Sequence, residues 1–365
     1  MNLPDTKERR ALLGLIGVRG LGPGRIRTLI ATFGSAAAVT GASLRRLISV
    51  PQIDEELAGR MTSGSMEEFV QKQYDLMAAH KVEMIPFWDN AYPQILKKIY
   101  DPPVLLFCSG NKQVLNEKMF AVVGTRTPTP YGKHVTDTFS RELIRTGLHI
   151  VSGLASGVDT AAHRAALRHG GKTVAVLGSG LDWIYPAANR GLAREITHNG
   201  ALLSEYPMGT HPDPANFPRR NRIVSGLSQG VLVTEAGLNS GALITAYQAL
   251  EQNREVFAIP GSVFSDLSSG VHQLIQEGAK LVHTFDDIIS EIGPSIAKYS
   301  EQISALPDLS EKERTLYDLL TAEPMHIDAF VHKGDRTAAE SLATLLSLEL
   351  KGLVRQMAGK MFLRS

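Results

Sequence analysis

Three arginines, two asparagines and a phenylalanine crowd the stretch Ala215–Gly230, A-N-F-P-R-R-N-R-I-V-S-G-L-S-Q-G. Guanidinium groups beside a ring suit phosphates and unstacked bases. A second stretch, Ala121–Gly132 (A-V-V-G-T-R-T-P-T-P-Y-G), is an apolar run that breaks at Gly124 and presents Thr125 and Arg126 ahead of a helix. That is the layout of a phosphate cradle. In the basic stretch Arg219 and Arg222 are expected to share a helix face while Arg220 points elsewhere. Phe217 reads as an exposed ring before the basic turn, with Tyr185 and Tyr206 on loops nearby.

Fragments of several enzymatic motifs occur and fail on context. Gly226-Leu227-Ser228-Gln229-Gly230 fits a nucleophile elbow in letters, but its serine precedes a strand instead of following one. Gly171-Lys172-Thr173 imitates the end of a P-loop, yet Ala166 stands where the leading glycine belongs. Gly178-Ser179-Gly180 is followed by Leu181, Asp182 and Trp183 with no third glycine, so a dinucleotide is not expected. His163 and His169 lack ligand spacing and read as surface or capping histidines; no metal and no cofactor are expected. A second reading comes from Thr234-Glu235-Ala236-Gly237 with Ser240-Gly241 at a strand end. These partly resemble the nucleotide-cleaving phosphoribohydrolases of the lysine-decarboxylase-like group, although here the acid precedes the glycine and the double glycine is missing.

The elements that must carry these residues follow from composition and periodicity. With 365 residues, 43% of them apolar, the chain can bury more than one core. Lys plus Arg (38) nearly cancel Asp plus Glu (37), so any nucleic-acid site must be local. The single cysteine, Cys108, excludes an intramolecular disulfide and a cysteine-based zinc site, which fits a reducing compartment and a cytoplasmic location. No apolar run reaches membrane-spanning length.

Residues 1–80 show helical spacing around the turn Gly20–Arg25, which resembles a helix-hairpin-helix, with a weaker copy near 49–58. Residues 81–292 alternate short apolar runs with helical segments, which predicts an α/β fold: a doubly wound, mostly parallel, Rossmann-like sheet. Strands are expected at 120–123, 149–151, 174–177, 201–203, 231–233, 256–259 and 280–282. Helices are expected at 131–146, 159–169, 189–198, 219–226, 242–252 and 271–277. Glycines gather at the strand ends (Gly124, Gly153, Gly157, Gly178, Gly180, Gly261), where ligands of open parallel sheets bind. Residues 293–307 read as a linker. Residues 308–365 read as a winged helix with helical spacing at Leu316, Leu319 and Leu320, short helices near 327–331 and 338–350, and a two-stranded wing over 352–363. The third helix carries no arginine, so this module reads as an interaction unit.

Taken together, V-V-G-T-R-T-P-T-P-Y-G, S-G-L-A-S-G-V-D-T-A-A-H, L-G-S-G-L-D-W-I-Y-P, L-L-S-E-Y-P-M-G-T, N-F-P-R-R-N-R-I-V-S-G-L-S and S-G-A-L-I-T-A resemble the DprA/Smf family. The resemblance implies a cytoplasmic homodimer that binds incoming single-stranded DNA during natural transformation, shields it from nucleases and helps load the RecA recombinase, without catalysis or a membrane anchor. The family's glycine-serine-arginine loop falls on Gly124, Thr125 and Arg126, with Thr125 keeping the hydroxyl. Its F-P-x-R-N-R block falls on Phe217, Pro218, Arg220, Asn221 and Arg222. The implied DNA-binding set adds Ser152, Gly153, Gly178, Gly180, Tyr185, Asn189, Arg219, Ser240 and Gly241. His272 stands where the family often has asparagine.

Overall fold

The first helices are set by their turns and apolar faces: α1 (Leu3–Gly17), α2 (Pro23–Phe33), α3 (Ala36–Thr40), α4 (Leu44–Ile48), α5 (Glu55–Thr62) and α6 (Ser65–His80). Pro23 opens α2, where its missing N–H is harmless. Leu12, Leu13, Ile26 and Leu29 are buried among these helices. The computed structural model describes residues 3–63, 65–292, 309–321, 325–334, 337–350, 353–357, 359 and 361–364. The expected linker, 293–307, lies outside them.

Next come β1 (Val82–Pro86), β2 (Leu105–Gly110), β3 (Met119–Val123), α7 (Pro130–Arg145), β4 (His149–Ser152), α8 (Val158–Arg168), β5 (Thr173–Leu177), α9 (Arg190–Asn199) and β6 (Ala201–Ser204). α10 (Asn216–Gly226), β7 (Ser228–Val233), α11 (Gly241–Glu251), β8 (Glu255–Ala258), α12 (Ser269–Gln276), β9 (Lys280–Leu281) and α13 (Phe285–Ile292) complete this unit. The strands form one sheet in the order β1-β2-β6-β5-β4-β3-β7-β8-β9. It is parallel from β6 to β9, and β2 and β1 add antiparallel at one edge. All residues of β3 and β5 are buried, as strands covered on both faces require.

Two departures from the expected elements have physical causes. β1 and β2 lie outside the βα alternation: a long loop joins them and they pair antiparallel, so that alternation carries no signal for them. α10 starts at Asn216 instead of Arg219, because Pro218 falls in its first turn, where a proline removes no helical hydrogen bond.

The helical segment and the sheet share one apolar core and several polar ties. Gln73 Nε2 donates to the Met208 carbonyl and its Oε1 accepts from Met208 N, both at 2.9 Å. Arg27 reaches Asp101 at 2.6 Å.

The remaining unit, within Lys298–Ser365, contains α14 (Glu311–Leu319), β10 (Met325–His326), α15 (Ile327–Gly334), α16 (Ala338–Leu350), β11 (Val354–Met357) and β12 (Met361–Arg364). Ser310 and Glu313 form a reciprocal cap on α14. Leu316, Phe330, Leu345, Leu348 and Phe362 fill its core. This is a winged helix, and its wing is a three-stranded sheet, β10-β12-β11, where two strands are expected. The extra strand is only two residues long, too short for a periodicity to register.

Candidate nucleic-acid interface

The parallel strands end at one rim, and a cleft of about 850 Å³ opens there between the loops after β3, β4, β7 and β8 and the first turns of α10 and α11. The β3–α7 loop is held flat by close backbone contacts. Thr125 N donates to the Glu235 carbonyl at 2.6 Å, and Val158 N donates to the Thr125 carbonyl at 3.1 Å. A Cβ at Gly124 would lie 2.6 Å from Val158 Cγ2, and one at Gly157, whose φ is +85°, would lie 2.3 Å from the Thr125 carbonyl. Only glycine lets these strand ends meet. Arg126 leaves the loop exposed, lines the cleft and has no hydrogen-bond or ion-pair partner among the described residues.

Arg220 forms the floor. It is buried, and its Nη1 donates to the Gly153 carbonyl at 2.6 Å and to the Val176 carbonyl, while Nε donates to Asn221 Oδ1 at 3.2 Å. Among the described residues it has no ion-pair partner. The nearby Asp159 carboxylate accepts from Gly153 N at 3.1 Å and Ala155 N at 3.3 Å. Burial pushes the Arg220 pKa down to about 10, against the pull of Asp159, and Arg126 adds to the lowering. Burial likewise raises the Asp159 carboxyl, opposed by Arg220. The cleft therefore has a buried guanidinium in its floor, with the Asp159 carboxyl as the nearby group of opposite charge.

Arg219 and Arg222 lie apart from Arg220, as the helical spacing predicts, but it is the Arg220 face that meets the cleft. Phe217, Arg220, Asn221 and Val224 all line the cleft, an i, i+3, i+4, i+7 stripe. Arg219 and Arg222 do not line it. Arg222 is tied bidentately to Glu205 at 2.9 and 2.6 Å and reaches Asp101 at 3.3 Å. Arg219 is exposed outside the cleft.

The ring expected to stand free is also corrected. Phe217 is half-buried over Gly178, where a Cβ would lie 2.9 Å from its ring. The exposed ring is Tyr185, half in solvent and 5.7 Å from Phe217 between centroids. Tyr206 is tied by its hydroxyl to the Asn216 carbonyl at 3.3 Å.

Ser240 and Gly241 line the far wall, Ser240 capping α11 through Ala242 N. Asn221 Nδ2 donates to the Gly241 carbonyl at 3.2 Å, so α10 and α11 are fastened at the cleft. Besides Arg219 and Arg222, four residues of the expected set sit outside the cleft lining. Ser152 Oγ donates to the Val122 carbonyl, and Asn189 Nδ2 donates to Leu154 O and Thr160 Oγ1. Gly178 backs the Phe217 ring, and Gly180 N donates to the Thr210 carbonyl. The lining also includes Asp159, Leu238 and Asn239, which the sequence motifs do not mark as functional. Asp159 falls in the quoted S-G-L-A-S-G-V-D block, which was the available signal.

Glu235, the acid of the nucleotide-cleaving reading, is buried and engaged. Its carboxylate accepts from Thr129 N and Thr129 Oγ1, both at 2.8 Å, at the start of α7. His163 is fully buried, not a surface residue: it is on the inward face of α8, with Nδ1 2.7 Å from Thr173 Oγ1. That hydroxyl donates to Ile150 O, so His163 Nδ1 carries the shared proton. His169 does cap α8.

A Rossmann-like sheet with a cleft at its strand ends, followed in sequence by a winged helix, defines a class of two-module α/β proteins, and the comparisons say which family of that class this is. Residues 83–293 match the family model of DNA recombination-mediator protein A, and residues 284–360 match the DprA winged helix domain. The chain belongs to the DprA family. It is 43% identical over 251 residues to the DNA processing protein DprA of Bacillus subtilis, covering 68% of this chain and 84% of that protein. It is 40% identical over 288 residues to Protein Smf of Escherichia coli, covering 76% of each.

Among solved structures, DprA from Streptococcus pneumoniae is similar with a TM-score of 0.63 and 38% identity, covering 78% of this chain and 97% of that one. DNA processing protein A from Helicobacter pylori, whose structure concerns its unique single-stranded DNA binding mode, has a TM-score of 0.53 and 34% identity over 58% of this chain and 95% of that one. Among the described residues, no helix is long and apolar enough to cross a membrane.

Proposed function

We propose that this protein binds single-stranded DNA along the rim of its sheet and acts, without catalysis, as a recombination mediator. The observation that carries this reading is Arg220, a buried guanidinium on the cleft floor with no ion-pair partner among the described residues, beside the unpaired Arg126. Such a floor favours a polyanion over a neutral ligand. Phosphates meet Arg126, Arg220 and the amides of Gly124 and Gly241, while a splayed base lies on Tyr185, which Phe217 supports from behind. Asn221 and Ser240 hold the two helix starts in register, with Ser152, Gly153, Gly178, Gly180 and Asn189 as the frame beneath. Binding of this kind is sequence-tolerant.

One cleft grips a few nucleotides, so a homodimer presenting two clefts to one strand gains through effective concentration. On this reading the protein works in the cytoplasm, shields incoming DNA during transformation and hands it to RecA. The chain divides into a helical domain (1–80), the DNA-binding sheet (81–292), a linker (293–307) and a winged helix (308–365) that serves as an interaction module. Fluorescence anisotropy with labelled oligothymidine tests the core of the proposal. Arg126→Ala and Arg220→Ala should each weaken binding about tenfold or more; unchanged affinity in both removes the cleft as the site.

A further inference from the structure

Phe264 is 95% exposed on the loop between β8 and α12, with Val263 beside it at 79%. So much bare apolar surface is unfavourable in water, and it does not belong to a loose tip. Tyr131 Oη donates to the Pro260 carbonyl at 2.8 Å, and His272 Nε2 pairs with the Gly261 carbonyl at 3.1 Å. Inside the loop, Phe264 N donates to Ser262 Oγ at 3.3 Å and Ser265 N to the Ser262 carbonyl at 3.1 Å. The ring is thus held outward by a tied frame.

Asp266 and Leu267, on the same loop, already line the cleft, so the ring adjoins its rim. Tyr185 follows β5 and Phe264 follows β8, four inter-strand steps apart in the sheet order. At about 4.8 Å per step this is roughly 19 Å, with Arg126 and Arg220 between. A few nucleotides of extended strand cover that distance. The carboxylate of Asp266 repels phosphate locally, which leaves the base, not the backbone, as the group that meets the loop.

We propose that Phe264 is a second base-stacking platform: a strand that lays one base on Tyr185 crosses the two arginines and lays a later base on Phe264. The inference rests on the single-strand reading of the cleft and adds the direction and span of the strand. It is tested on the full chain with oligothymidines of increasing length. Phe264→Ala should leave the shortest strands unaffected and weaken those long enough to span the cleft by about fivefold to about a hundredfold, the range for one stacked base. Phe264→Trp should restore affinity, and its added fluorescence should be quenched by long strands only.

Equal affinity of wild type and Phe264→Ala at every length, with Arg126→Ala still impaired, overturns the platform and leaves the cleft standing. No binding of any strand by wild type overturns both. A loss that is the same at all lengths and accompanies a change of oligomeric state in light scattering assigns the ring to a contact between copies and also overturns the platform.

Discussion

Two positions apart on one helix, Arg220 turns its guanidinium into the cleft and Arg222 turns its own onto Glu205 and Asp101. Their substitutions should separate accordingly. Arg220→Lys keeps the charge but loses the planar guanidinium that donates from Nη1 to two carbonyls and from Nε to Asn221 Oδ1, so it should weaken oligothymidine binding by about tenfold while the protein stays folded. Arg222→Ala strands a mostly buried Glu205 carboxylate and should lower unfolding stability by about 3 to 5 kcal/mol in urea titrations, with affinity retained well below the midpoint. The reverse pattern would exchange the roles assigned here.

His163 gives a pH signature. Burial holds its pKa at about 3, so the folded state stays neutral where the unfolded chain, near 6.5, takes up a proton. Stability from this group is present above about pH 6.5 and is lost as pH falls from there towards 3. Wild type should lose about 2 kcal/mol more than His163→Gln between pH 7 and pH 5, read by urea denaturation at each pH.

The element that shapes the cleft is the β3–α7 loop, and its position depends on neighbours far away in sequence. Gly157→Ala places a methyl group against the Thr125 carbonyl in a left-handed backbone, with no flexible side chain to give way. It should cost on the order of 2 kcal/mol or more and lower DNA affinity together with thermal stability. Glu235, just after β7, ties the same loop by accepting from the backbone N–H and hydroxyl of Thr129, the residue whose side chain caps α7. Glu235→Ala should cost about 1 to 2 kcal/mol of stability. Wild type incubated with nucleoside monophosphates should release no free base; release abolished by Glu235→Gln would instead support the nucleotide-cleaving reading. The strands and helices of the parallel sheet are legible in the sequence, since each apolar run and each intervening helix is a local pattern. The antiparallel β1 and β2 are not, because only the neighbouring β6 gives their edge a place.

The protein carries a formal net charge of +1, so attraction to DNA must come from the rim alone. If two cations contact phosphate, the logarithm of affinity should fall with the logarithm of salt at a slope of about −1.4, and Arg126→Ala should reduce its magnitude by about 0.7. A flat salt profile would show that the cleft does not neutralise phosphate. The residues that suit phosphate and bases, the glycines at the strand ends and the alternation that builds the sheet could all be read from the chain, because each depends on residue type and near neighbours. Which arginine faces the cleft, which ring stays in solvent and which acid is engaged by a capping residue depended on tertiary packing. Those outcomes turn on where Glu205, Asp101, Gly178 and Thr129 arrive, and chain segments distant in sequence meet these residues only once the sheet has closed around them.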